Sequence, residues 1–83
     1  MNLQSAIAAV KMLETQVKPT RENNLMMAVI KQAIFDAHSK HKAIRQSATR
    51  YLNGPLPHAQ AIGLEPSWVK KILRKAQILK KNA

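Results

Sequence analysis

The stretch that decides the fold is residues 55–74, which read PLPHAQAIGLEPSWVKKILR. Pro57 suits a first helical position and Gly63 suits the position just after a helix end, so a short helix is predicted over about 57–62. Pro66 then opens a second helix, because its fixed φ fits a first turn and its missing N–H is not needed there. Two helices joined through a glycine turn are expected here.

The second of these helices is predicted to run from Pro66 to about Lys81, with an apolar side and a basic side. At about 100° per residue, the two kinds of residue fall on opposite arcs. The apolar arc is Val69, Ile72, Leu73, Ala76 and Leu79, and the basic arc is Lys70, Lys71, Arg74, Lys75 and Lys81. A tight turn before a helix with a basic outer face is what a helix-turn-helix needs, because that helix can then enter the major groove of DNA.

Residues 55–74 resemble the helix-turn-helix family. That family has a small residue packed under the turn, which is Ala59 here, and a glycine at the turn, which is Gly63. It has β-branched or aliphatic residues inside the second helix, and Val69 and Ile72 stand at the matching spacing. Glycine suits the turn because a Cβ in the left-handed region costs about 1–2 kcal/mol.

The stretch departs from the family pattern in three ways, the first of which is a short first helix. His58 stands where the family usually has an apolar residue. Glu65 and Pro66 open the second helix, where a hydroxyl cap is more usual. Glu65 would repel a phosphate there, although a carboxylate can accept a hydrogen bond from a cytosine amino group.

A second resemblance covers more of the chain. Residues 28–33 (AVIKQA), 50–52 (RYL) and 63–73 (GLEPSWVKKIL) are similar in order to small phage- and prophage-type proteins of mostly undefined role. In those proteins the last segment is also a short helix, a glycine-leucine turn and a basic helix. This resemblance implies a phage-linked regulator and names no target.

The helix-turn-helix resemblance implies a set of DNA-binding residues. Outward residues of the second helix would read bases or hold phosphates, namely Ser67, Trp68, Lys70, Lys71, Arg74 and Lys75. Basic residues of a helix predicted over about 40–52 would clamp the DNA backbone beside it, namely Lys42, Arg45 and Arg50. Two alternatives stay open: Trp68 as a core anchor, and the lysines as an ordinary solvated helix face.

Charge supports a polyanionic partner. The 83 residues carry 14 Lys and Arg against 4 Asp and Glu, for a net charge of +10. The excess is polarised, because residues 40–83 carry a net +9 and residues 1–39 only +1. Such an imbalance is typical of partners such as DNA, RNA, an acidic membrane surface or an acidic protein, and it argues against an enzyme of neutral metabolites.

Before residue 53 the apolar spacing predicts three helices, over 3–17, about 21–38 and 40–52. Thr20 is the expected N-cap of the second of them. We expect Ser39 to cap the third and Gly54 to take the left-handed conformation after it. One unbroken helix over 21–52 is the alternative, which the apolar gap from Ser39 to Lys42 disfavours.

The second of these helices has its apolar residues concentrated on one half of its surface, namely Leu25, Met26, Val29, Ile30, Ala33, Ile34 and Ala37. We expect that half to form the centre of the core. The chain is therefore predicted to be one all-α domain, residues 1–83, of four to five helices. Residues 1–52 would form a helical scaffold and residues 55–79 a helix-turn-helix-like unit.

The sequence gives little basis for catalysis or for a bound cofactor. It has no cysteine, no glycine-rich phosphate loop and only scattered carboxylates. His38 and His41 are spaced for one helical turn, but neighbouring lysines would repel a metal ion. No run of about 18 apolar residues or signal-peptide pattern is present, so a cytoplasmic protein without a membrane partner is expected.

These observations predict a non-enzymatic regulator of phage or mobile-element type that binds double-stranded DNA, with a homodimer as the candidate assembly. The alternative is a small phage-type protein that binds and modulates a host protein, such as a nucleic-acid-processing enzyme. RNA binding or binding to an anionic membrane by the C-terminal basic helix is a third option.

Overall fold

A computed structural model describes residues 3–80, and this part of the chain forms five helices and no strand. The helices are α1 (Leu3–Glu14), α2 (Arg21–Asp36), α3 (Lys42–Asn53), α4 (Pro57–Ala61) and α5 (Pro66–Lys75). The prediction of an all-α fold with four to five helices is therefore confirmed.

Helix α2 lies at the centre of the fold. It packs against α1, α3 and α4, whereas α5 packs against α1 and α4. The largest fully buried side chains come from every helix except α4, from the α3–α4 connection and from the segment after α5: Leu13, Ile30, Ile34, Leu52, Leu56, Val69, Leu73 and Leu79. Within residues 3–80 no polar or charged residue is buried, so the hydrophobic effect is the main stabilising force of this core.

The face of α2 that forms the core differs from the predicted one. Ile30 and Ile34 are buried as expected, and so is Met27, which the prediction placed on the other half. Leu25 and Val29 were expected inside but are 63% and 41% exposed. Helix α2 is apolar around most of its circumference, so its periodicity does not determine which side faces the core.

The ends of the first helices follow local capping chemistry. Thr20 caps α2 as predicted, because the Asn23 N–H donates to its Oγ1 at 3.1 Å. Helix α2 ends at Asp36, which confirms the break before α3. The predicted Ser39 cap of α3 is wrong: the N-cap is His41, and the Ser39 hydroxyl accepts instead from the N–H of that residue.

In the connection between α3 and α4 the left-handed residue is Leu56, not the expected Gly54. Gly54 has φ −81° and ψ −162°, so the predicted left-handed glycine is wrong at this position. Gly54 instead follows α3 in an extended conformation, and its N–H donates to the Tyr51 carbonyl at 3.1 Å. Leu56 takes the left-handed conformation instead, with φ 51°, and its side chain is fully buried. Burying a leucine contributes about 1.5–3 kcal/mol, which offsets a backbone cost of about 1–2 kcal/mol.

Helix α5 is shorter than predicted, because it ends at Lys75 in a Schellman motif. Gln77 takes φ 62°, its N–H donates to the Arg74 carbonyl at 3.0 Å, and the Ile78 N–H donates to the Leu73 carbonyl at 2.8 Å. The chain then turns so that Ile78 is buried against the core. Lys81, which we placed on the basic arc, lies outside the described residues.

Candidate nucleic-acid interface

The turn between α4 and α5 is also a Schellman motif, with Gly63 as its left-handed residue. Gly63 has φ 81°, its N–H donates to the Gln60 carbonyl at 3.2 Å, and the Leu64 N–H donates to the Ala59 carbonyl at 2.9 Å. Ala59 and Leu64 are both buried under the turn. An apolar contact of this kind usually accompanies the motif and fixes the direction of the chain that follows. Here it sets the direction in which the chain enters α5.

One side of α5 is anchored in the core. Val69 and Leu73 are fully buried, and Ile72 is half-buried on the flank nearest α1, where it lines a depression with Met12. Trp68 is half-buried on the same flank and packs against the core, beside Gln16. The core-anchor interpretation of Trp68 therefore has direct support.

The opposite side of α5 carries the predicted polar residues. Ser67, Lys71 and Lys75 are exposed and recur every four residues, so they form one row along the helix. Lys70 and Arg74 are half-buried and form a second row beside the first. The structure thus brings five of the six residues predicted on this helix onto one surface, which we call the α5 basic face.

Two details modify the electrostatics of the α5 basic face. Glu65 is exposed at the N-cap of α5, and the Ser67 hydroxyl donates to its Oε1 at 3.4 Å, a long and therefore weak hydrogen bond. At the other end, Nε of Arg74 is shielded from solvent and has no hydrogen-bond partner within the described residues. An unsatisfied buried donor costs about 1–3 kcal/mol, so this guanidinium is held at some expense of stability.

The second predicted basic group lies on a different part of the fold. Lys42, Arg45 and Arg50 are all exposed on α3. Helix α3 packs on α2, whereas α5 packs on α1 and α4, so the two groups are not on neighbouring helices. Nη1 of Arg45 also donates to the Ser39 carbonyl at 3.2 Å, which ties this side chain to the loop before α3.

A hydrogen bond that the sequence did not predict joins α3 to α4. The Tyr51 hydroxyl and Nδ1 of His58 are 2.7 Å apart, and both residues are half-buried. Burial raises the pKa of Tyr51 above its ordinary value of 10.0, because it disfavours the charged tyrosinate. The hydrogen bond to Tyr51 explains why position 58 is a histidine, where the helix-turn-helix pattern has an apolar residue.

The sequence also missed an apolar groove between α2 and α3. Its walls include Val29, Gln32 and Ala33 from α2 and Ile44, Ser47 and Tyr51 from α3. Val29 and Ile44 face each other across the groove as lining residues and are 41% and 45% exposed. Periodicity places Val29 on the half of α2 that was expected to form the core, so only the packing of the helices could reveal the groove.

Two further features are absent from the described part of the chain. No group of three or more His, Asp or Glu residues there is placed to hold a metal ion. None of the five helices is both long and apolar enough to cross a membrane. Comparison with known proteins adds no assignment: no family model, no curated protein and no solved structure matches this chain.

Proposed function

We propose that the protein is a DNA-binding regulator that places α5 in the major groove of duplex DNA. The observation that carries the proposal is the α5 basic face, where Lys71 and Lys75 are exposed on a helix anchored by Val69 and Leu73. A ten-residue helix is about 15 Å long, and the major groove is wide enough to admit it. The net charge of +9 over residues 40–83 supports a polyanionic partner.

The two ends of the α5 basic face would have different roles. Recognition helices read bases with their N-terminal residues, so Ser67, Lys70 and Lys71 would approach base edges. Lysine reaches the O6 and N7 acceptors of guanine, and a serine hydroxyl bonds to either base edges or phosphates. Arg74 and Lys75, one turn further along, would hold phosphates and fix the position of the helix.

The turn at Gly63 supports the same proposal. Its two backbone hydrogen bonds and the buried Ala59 and Leu64 hold α4 and α5 in one arrangement. Preorganisation of this kind lowers the entropic cost of binding. The further statement that the regulator is of phage or mobile-element type rests on the resemblance of residues 28–33, 50–52 and 63–73 alone.

The proposal is tested by fluorescence anisotropy with labelled duplex DNA. We expect Lys71→Ala/Lys75→Ala to weaken binding by at least about tenfold, because two phosphate or base contacts are lost. Lys18→Ala/Lys31→Ala is the matched control, since it removes the same charge from exposed positions outside α5. Equal weakening by both variants would mean that only net charge matters, and the assignment of α5 would then be wrong.

A further inference from the structure

A stripe of exposed residues runs along α2 on the side away from the core. Arg21, Leu25, Ala28, Gln32 and Asp36 follow one another at intervals of three or four residues, so they share one face of the helix. All are exposed except Asp36, which is half-buried. Leu25, at 63%, is the most exposed large apolar residue of the described chain. We call this set the α2 stripe.

We propose that the α2 stripe is the interface of a two-fold symmetric homodimer, in which the α2 helices of two copies pack antiparallel. Leu25 of each copy then occupies the apolar groove between α2 and α3 of the other. The proposal does not depend on DNA binding, and it names a surface and an occupant for the groove.

The charges at the two ends of α2 favour this arrangement. Arg21 opens the helix, where the helix dipole disfavours a cation, and Asp36 closes it, where the dipole disfavours an anion. Gln32 donates to Oδ1 of Asp36 at 2.8 Å and so holds the carboxylate on the stripe. In an antiparallel pair each Arg21 faces Asp36 of the second copy. Each charge is unfavourable with the dipole of its own helix, but the two charges attract one another across the interface.

The register that pairs these charges also fits the apolar residues. When Arg21 faces Asp36 of the second copy, Leu25 lies at the level of Gln32 of that copy, which lines the groove. Ile44 forms the exposed wall across the same groove and would contact the inserted leucine. Ala28 lies next to the two-fold axis, where its small side chain lets the two helices approach closely.

The charge of the α2 stripe selects a second copy over the partners considered above. Arg21 and Asp36 cancel, so the stripe is neutral within a chain of net charge +10. An acidic protein or a nucleic acid would find no net positive charge on it. A symmetric contact through this stripe is also self-complementary.

Sedimentation equilibrium of the free protein, without DNA, tests the proposal. We expect a monomer–dimer equilibrium whose dissociation constant rises at least about tenfold in Leu25→Asp, as for loss of a central interface anchor. Leu3→Asp is the matched control, because Leu3 is 52% exposed on α1, and it should leave the equilibrium unchanged. A wild-type chain that stays monomeric up to millimolar concentration, or a dimer that tolerates Leu25→Asp, overturns the proposal.

A charge exchange tests the antiparallel register. Arg21→Glu and Asp36→Lys should each weaken the dimer, since each sets like charges opposite one another across the interface. The double variant should dimerise like the wild type, because the opposite charges are restored with their positions exchanged. Both substitutions also suit the helix dipole, so the variants are expected to stay folded, which circular dichroism checks. Failure of the double variant to recover dimerisation overturns this register.

Discussion

The Tyr51 hydroxyl lies 2.7 Å from Nδ1 of His58, and this hydrogen bond joins α3 to the short helix that precedes the α4–α5 turn. The two rings are also close, with centroids 5.8 Å apart and planes tilted by 53°. Helix α4 has only five residues and so contributes little stability by itself. The pair therefore helps to hold α4, and with it the turn at Gly63, in place.

Replacing Tyr51 with Phe should lower the free energy of unfolding by about 1 kcal/mol, because the half-buried imidazole loses its partner. Denaturant unfolding followed by circular dichroism measures this change. Adding His58→Leu should recover part of the loss, since replacing both polar partners by apolar groups is less costly than removing one. A Tyr51→Phe variant as stable as the wild type would show that the hydrogen bond contributes nothing.

Tyr51 should titrate at higher pH in the folded protein than in the unfolded chain. Because burial raises its pKa from 10.0, the unfolded chain releases this proton first as the pH rises. The contribution of Tyr51 to stability is therefore complete below pH 10 and is lost as the pH rises through the folded pKa. Tyr51 is the only tyrosine, so the tyrosinate absorbance band reports it alone. If the absorbance titration has the same midpoint pH in native and in denaturing buffer, the raised pKa of Tyr51 in the folded protein is contradicted.

Gly63→Ala should destabilise the protein by about 1–2 kcal/mol, because φ 81° is unfavourable for a residue with a Cβ. No atom lies within 4 Å of the added Cβ, so the cost is conformational and not steric. Gly63→Asn should cost less, since asparagine tolerates the left-handed region better than alanine does. Denaturant unfolding should therefore find the wild type most stable, Gly63→Asn intermediate and Gly63→Ala least stable. Any other order would show that the role assigned to the turn is wrong.

Gln77→Gly should raise the free energy of unfolding by about 0.5–1 kcal/mol, because Gln77 holds φ 62° at the C′ position where glycine is preferred. Gln46→Gly is the matched control: Gln46 is exposed inside α3, where the same change should cost about 1 kcal/mol. Thermal unfolding of both variants gives the comparison. Two shifts of the same sign would contradict the assignment of a Schellman motif at the end of α5.

Local signals in the sequence were enough to predict much of the fold. Thr20, Pro57, Gly63 and Pro66 each act within one turn of helix, and all four mark helix ends in the structure. The end of α5 depends on a long-range effect, because Ile78 is buried against the core only if the chain leaves the helix. Nothing local in the sequence marks Gln77 as left-handed.

The candidate sites were predictable to different degrees. The α5 basic face follows from helical periodicity, because the apolar and basic residues of α5 separate cleanly. The apolar groove does not, since Val29 and Ile44 have the same pattern as core residues and differ only in which helices cover them. The Tyr51–His58 hydrogen bond depends on how α3 and α4 cross, which no spacing along the chain specifies.

The salt dependence of duplex DNA binding tests the central claim most directly. Two phosphate contacts on the α5 basic face, from Arg74 and Lys75, predict that log Kd rises linearly with log salt with a slope of about 2 for one copy. Lys71→Ala/Lys75→Ala removes one of these contacts and should lower the slope by about 1. Anisotropy titrations over a range of salt concentrations measure both slopes. A wild-type protein that fails to bind duplex DNA at low salt, or a slope unchanged in the double variant, would contradict the account.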